Sequence, residues 1–486
     1  MYRKRPWIRA VCRALALAGC IALMPLSALS DETAPLRLEA EEGEMSGSVK
    51  AVQTWAEGFR AAGDSVAMKI TICDEGMYDI TAILASMDGS HKENPVLLDG
   101  ENIGSVIAEG KDFIRSSLPH VYLTAGEHTL SLGTSWGWIK LDALELAPAE
   151  PLPEDLYDVE PVLVNPDPTP EAQRLFNWLC ECYGKKIITG QYCDGGMYGL
   201  ENQAIWRATG GAYPAILGLD MIEYTPSRVE HGAQGKSVDQ AIEYWDKGGI
   251  VTFCWHWNAP GPYLQAHRWY SGFYTQYTSF DLGKVMSGED QVGYDLLIRD
   301  IDAIAAQLKR LKDAGVPVLW RPLHEASGGW FWWGASGPEN YKKLWNLLYD
   351  RLTNLHGLNN LIWIWNGQKA DWYPGDATVD IIGEDIYPGE RVYNSQSAKF
   401  IECLGYTDAR KMIILSENGC VPDPDLLFRD GTVWGSYCTW GGDFVLKSNK
   451  FNKPSEQYTE VWLLKKMYDD ERSVTRADIP DLKSGE

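Results

Sequence analysis

The chain has 486 residues, 45% of them hydrophobic, and a formal charge of −23. That length leaves room for two or three domains and at least one large core, while an acidic surface that repels phosphate excludes nucleic acid and anionic lipid as natural partners. A neutral polymer is indifferent to such charge.

Residues 1–30 read as a signal peptide. Arg3, Lys4, Arg5, Arg9 and Arg13 precede the apolar run from Ala14 to Leu26, and Ala28-Leu29-Ser30 before Asp31 resembles a signal-peptidase site. Its removal takes away five basic and no acidic side chains, leaving an exported chain, secreted or periplasmic, with a charge of −28. Leu17-Ala18-Gly19-Cys20 also has the form of a lipobox, and acylation of Cys20 is the one membrane attachment the sequence offers, since no later stretch reaches the roughly eighteen apolar residues a span needs. Eight cysteines remain after cleavage. Their even number leaves open one or two disulfides or a set of buried thiols, and without a CxxC pair no four-ligand zinc site is expected.

Residues 31–147 alternate like short strands. Ser65 to Cys73, Gly76 to Ala85, His120 to Thr124, His128 to Leu132 and Trp138 to Leu146 are separated by Gly, Asp and Asn turns, which suits a small β-sandwich. Residues 148–161 are a Pro-rich linker, with further prolines at 166, 168 and 170, and are expected to act as a semi-rigid spacer.

Residues 162–475 change rhythm. Eight apolar runs recur, at 186–192, 213–220, 249–257, 316–325, 360–366, 379–387, 411–419 and 433–444, with amphipathic stretches at 238–247, 294–314, 340–355 and 457–468 between them. Eight buried strands alternating with helices predict an α/β fold, a (β/α)8 TIM barrel. Seven of the runs finish in polar or aromatic residues, among them Gln191, Asp220, His256, Glu325, Asn366, Asp385 and Glu417. In this fold the carboxyl ends of the strands carry the active site.

The most informative run ends in Trp320-Arg321-Pro322-Leu323-His324-Glu325 and passes into Gly328-Gly329-Trp330-Phe331-Trp332-Trp333-Gly334. A carboxylate beside exposed indoles provides acid/base chemistry and flat apolar faces for a sugar ring. Strand alternation would put Leu319, Arg321, Leu323 and Glu325 on one face, with Arg321 one layer below the carboxylate. A second acid, Glu417, ends the run Met412-Ile413-Ile414-Leu415. Two such acids across a barrel mouth are what glycoside hydrolysis requires, provided they titrate apart. Desolvation by Trp330 and Trp333 and the charge of Glu417 should keep Glu325 protonated, while Arg321 holds Glu417 ionised. A zinc protease is excluded because position 328, where a second His would follow His324-Glu325, is glycine.

These motifs, with Thr189-Gly190-Gln191, Cys254-Trp255-His256-Trp257-Asn258, Asn360 to Asn366, Gly383-Glu384-Asp385-Ile386-Tyr387 and Ser416-Glu417-Asn418-Gly419, resemble glycoside hydrolase family 26, chiefly endo-β-1,4-mannanases. The resemblance implies retention, with Glu325 as acid/base and Glu417 as nucleophile. It further implies that His324 and Tyr387 contact the nucleophile or the sugar, that His256 and Trp330 line the sites on either side, and that Trp440 forms a floor under the ring. No catalytic cofactor is implied. The substrate would be a neutral β-mannan, with xylan, mixed-linkage glucan or end-release of mannobiose as alternatives, and the protein is expected to act as a monomer. A sugar-binding protein on a degenerate barrel would have lost a carboxylate, but both are present. Leu38-Glu39-Ala40-Glu41, residues 123–130 and Gly137 to Asp142 resemble carbohydrate-binding module family 35, which implies a structural calcium near Glu39, Glu41 and Asp142.

Overall fold

The computed structural model describes residues 35–448 and 451–484; the expected signal peptide and Cys20 lie outside them. Residues 36–148 fold as two packed antiparallel sheets. Alternation builds the sandwich: Ser65–Ile72 turns Val66, Met68, Ile70 and Ile72 inward and leaves Lys69 and Thr71 exposed. Val66, Ile80, Leu84, Leu130 and Leu141 fill the space between the sheets. The strands Lys92–Leu98 and Glu101–Ala108 were not evident from the sequence. Pro95 and Gly104 interrupt their pattern, and a bulge between Val96 and Leu97 accommodates the break. Gly133-Thr134-Ser135-Trp136-Gly137 spells a serine-hydrolase elbow, but it joins two antiparallel strands rather than a strand to a helix.

Two of the expected calcium residues meet at one corner. Arg37 lies among its acids, 2.8 Å from Glu39, 2.6 Å from Asp142 and 3.0 Å from Glu145. Glu41 has no part in these ion pairs, and its Oε2 is buried and unpartnered.

The linker is not a spacer. Leu156 and Leu163 are buried in the hydrophobic core of the following domain. The Tyr157 ring meets Tyr183 edge-on at 4.8 Å, and its hydroxyl donates to Gly431 O at 2.6 Å while accepting from Val433 N at 2.8 Å. Proline removes donors, but the apolar residues between the prolines fasten this strap to the barrel. The sandwich touches the barrel as well: Ser397 Oγ donates to His120 O at 3.0 Å, and the Arg429 guanidinium lies 4.3 Å from the centre of the Tyr122 ring.

The barrel closes as predicted. Its strands are β1 (Gly190–Tyr192), β2 (Ile216–Asp220), β3 (Ile250–Cys254), β4 (Val318–Arg321), β5 (Leu361–Trp365), β6 (Ile381–Ile386), β7 (Met412–Asn418) and β8 (Tyr437–Thr439), parallel throughout. Gln191 of β1 pairs with Thr439 of β8 and closes the cylinder. The expected helices surround it, for example Gln291–Asp313, which buries Leu297, Ile301, Ile304, Leu308 and Leu311 at helical spacing. All eight described cysteines are free thiols, which decides between the two possibilities the sequence left open.

Candidate active site

β4 ends at Arg321, four residues before the first candidate acid. Leu323 and Glu325 have φ of 53° and 52°, in the left-handed region, so strand alternation stops short of Glu325 and Arg321 is not simply a layer beneath it. The turned chain is held by Glu325 N–H, which donates to Asn366 O at 2.8 Å. Of the four aromatics that follow, only Trp330 is exposed, at 46%, whereas Phe331, Trp332 and Trp333 are buried. Trp333 supports the turn, its Nε1 donating to His324 O at 2.8 Å. Trp330 Nε1 donates to Glu325 Oε2 at 2.9 Å.

Glu417 enters from β7. The pairing of β6 with β7 shifts by one residue after Glu384, which sets Asp385 opposite Glu417. Ser416 Oγ donates to Asp385 Oδ1 at 2.6 Å. One carboxylate oxygen each from Glu325, Asp385 and Glu417 lies within 4.8 Å of the other two. The fully buried Arg321 is shared between two of them: Nη1 donates to Asp385 at 2.8 Å and to Asn366 Oδ1 at 2.9 Å, and Nη2 donates to Glu417 and, at 3.1 Å, to Tyr192. Tyr387 donates its hydroxyl to the other Glu417 oxygen at 2.7 Å. The three carboxylates could together hold a cation, but the guanidinium already occupies two of them.

The electrostatics separate the acids. Burial first, then the negative charges of Asp385 and Glu417, push the Glu325 carboxyl up to about 9, against the charge of Arg321 and the Trp330 hydrogen bond. The Trp330 hydrogen bond itself thus opposes the shift that burial produces. Asp385 is also raised, by burial ahead of Glu417, with Arg321 opposing. One acid that is neutral at pH 7, facing one bound to a guanidinium and a phenol, makes a donor and a nucleophile within reach of a common centre.

Comparison with known proteins agrees with this arrangement. The profile of glycosyl hydrolase family 26 matches residues 164–470, and that of carbohydrate binding module (family 35) matches residues 36–149. The chain belongs to glycosyl hydrolase family 26. A mannan endo-1,4-beta-mannosidase of Thermothelomyces thermophilus is 39% identical over 96% of this chain and 97% of its own length. Mannan endo-1,4-beta-mannosidase B of a Piromyces species is 34% identical over 85% of this chain and 73% of its own. The crystal structure of a Podospora anserina GH26-CBM35 beta-(1,4)-mannanase, 37% identical, covers 93% of this chain and 100% of that one with a TM-score of 0.66.

The remaining residues of this family 26 site divide in two. Trp440 lies at the mouth beside Tyr192, ring centres 4.7 Å apart, and 5.8 Å from His256. His324 forms no hydrogen bond to Glu417; its Nε2 faces Nε2 of His256 at 3.3 Å, its Nδ1 is buried without a partner, and burial, Arg321 and His256 hold its pKa well below the ordinary value. Contact with Glu417 falls to Tyr387 and Arg321 instead. Sequence reasoning placed Asn366 and Asp385 on the rim without a specific role and passed over Tyr192, which closes β1.

Proposed function

We propose that the protein is an endo-acting β-1,4-mannanase that cleaves internal mannosidic bonds of mannan, glucomannan or galactomannan with retention. The observation that carries the reaction is the proximity of the two glutamates, each of which offers a carboxylate oxygen within 4.8 Å of one of the other's. Retaining pairs stand about 5–5.5 Å apart and inverting pairs about 6.5–9.5 Å to admit a water, and so close an approach of single oxygens supports the nearer class and a covalent intermediate. The printed names of the relatives, two mannan endo-1,4-beta-mannosidases and a beta-(1,4)-mannanase, support the substrate.

Glu417, oriented by Arg321 and Tyr387, attacks the anomeric carbon through a carboxylate oxygen as the bond to the leaving sugar breaks. Glu325 gives its proton to the departing oxygen. The carboxylate left behind then takes a proton from water, whose oxygen displaces Glu417 from the anomeric carbon. The sugar leaves with its original configuration and both acids return to their starting states.

Glu325→Ala and Glu417→Ala should each reduce turnover on linear mannan by several orders of magnitude. On an aryl β-mannoside that needs no acid, azide should restore the former and give a product of retained configuration. Near-normal turnover of either variant on mannan would overturn the assignment. Products from linear mannan, galactomannan and xylan test the specificity.

In this proposal the protein is exported with residues 1–30 removed, works as a monomer, and uses its amino-terminal module to hold the polymer. Trp136 and Trp138, 57% and 49% exposed with Arg60 over the latter, offer flat faces for sugar rings. We also place a structural calcium ion at the module's corner, supported by the unpartnered Glu41 oxygen. Chelation should then lower the melting temperature of the intact chain by several degrees, whereas an unchanged value leaves the corner to Arg37.

A further inference from the structure

Asp220 ends β2 and takes no part in the double displacement. Its Oδ1 accepts the main-chain N–H groups of Ile222 at 2.9 Å and His256 at 3.1 Å, and its Oδ2 accepts from Nδ1 of His256 at 2.6 Å. A carboxylate can only accept, so Nδ1 of His256 carries a proton and, in the neutral ring, Nε2 is bare. That bare nitrogen faces Nε2 of the buried His324 at 3.3 Å. Two lone pairs would repel each other, so the proton of His324 belongs on Nε2. Its Nδ1, buried without a partner, is then a lone pair rather than a stranded donor.

We propose that Asp220 is a positioning residue for glycoside hydrolysis: it fixes the tautomer of His256 and, through that ring, of His324, the residue directly before the acid/base. The rings of Phe273, Phe331 and Trp440 surround His256, 5.1, 5.5 and 5.8 Å away, so its one acceptor, which faces His324, lies in largely aromatic surroundings. The proposal rests on the hydrolase reading above and adds to it the state of the histidine pair.

Asn at position 220 separates this role from a merely structural one. Its carbonyl must remain where Oδ1 is, since two main-chain N–H groups point there, so its amide would face Nδ1 of His256. Nδ1 must then lose its proton to Nε2, which opposes the Nε2 proton of His324 and forces the latter onto buried Nδ1. The main-chain cap survives while the relay is reversed.

The test compares the full chain with Asp220→Asn by nitrogen spectroscopy of 15N-histidine-labelled protein and by kcat/KM on a linear β-1,4-mannan oligosaccharide. The unaltered protein should show His256 protonated at Nδ1 and His324 at Nε2. The variant should exchange both tautomers, melt slightly lower because His324 Nδ1–H is then a buried donor without a partner, and lose kcat/KM on the order of a hundredfold, well short of the roughly ten-thousandfold cost of holding a general-base imidazole in the wrong tautomer, because neither histidine takes the reacting proton. The opposite tautomers in the unaltered protein, or a variant within about twofold of it in kcat/KM, would overturn the proposal. If the unaltered protein does not cleave the oligosaccharide, the mannanase reading fails, and the spectra still judge the relay.

Discussion

Arg321 decides which of three crowded carboxyls carries a proton. Three negative charges within 4.8 Å of one another, away from bulk water, repel strongly, and the guanidinium bonds directly to Asp385 and Glu417 but not to Glu325. The proton therefore settles on Glu325, which is the acid the reaction needs. Because its folded-state pKa is raised to about 9, the neutral form persists through neutrality and is lost only as the pH climbs through that value. The free enzyme should accordingly show an alkaline limb in kcat/KM near pH 9 on a linear mannan oligosaccharide, whose leaving oxygen needs a proton, and no such limb on an aryl mannoside with a good leaving group, which needs none. A limb that persists on the aryl mannoside would belong to another group. Glu325 and Glu417 were legible in the sequence because apolar strands run into them. The part played by Asp385 was not, because only the shifted pairing of β6 with β7 brings it opposite Glu417, and no periodicity announces a bulge.

The element that sets the geometry is the turn after β4. A strand carried on to residue 325 would follow alternation; this one stops at Arg321, and two left-handed residues redirect the chain so that Glu325 reaches the mouth. The short helical turn Ala326–Gly328 follows and is closed from below by Gly334, where any Cβ would overlap the carbonyl oxygen of Ala326. Gly329, at φ 70°, has open space around its Cβ position and needs glycine only for its backbone. Gly329→Ala should thus cost about 1 kcal/mol in stability and leave turnover nearly unchanged. Gly334→Ala must displace the turn itself, so it should lower kcat at least tenfold and cost about 1–3 kcal/mol. Thermal melts and kinetics of the pair check this, and equal effects would remove the turn from any role in placing Glu325. The glycines were visible in the sequence, but which of them is a spacer and which a backstop depends on contacts eight residues apart.

At the scale of the molecule, eight apolar runs ending in polar residues made the barrel legible, since no open sheet needs so many buried strands of one kind. The packing of the linker on the barrel was not foreseen because proline content was weighed and the apolar residues among the prolines were not. The family 26 profile begins at residue 164, one position after the buried Leu163 and beyond Leu156 and Tyr157, so it too starts inside the barrel's own core. Burying each such side chain contributes about 1.5–3 kcal/mol, and losing three would remove roughly 4.5–9 kcal/mol, comparable with the whole stability of an ordinary domain. A catalytic fragment starting at residue 150 should melt cooperatively close to the barrel transition of the intact chain and hydrolyse soluble oligosaccharides at the full rate, losing only the hold on insoluble polymer that the module gives. A fragment starting at residue 165 should aggregate or melt many degrees lower, since Gly184 would keep its left-handed turn beneath a tyrosine that is no longer there. Calorimetry and oligosaccharide kinetics on the two fragments separate these outcomes, and matching melting temperatures would return residues 150–164 to the status of a spacer.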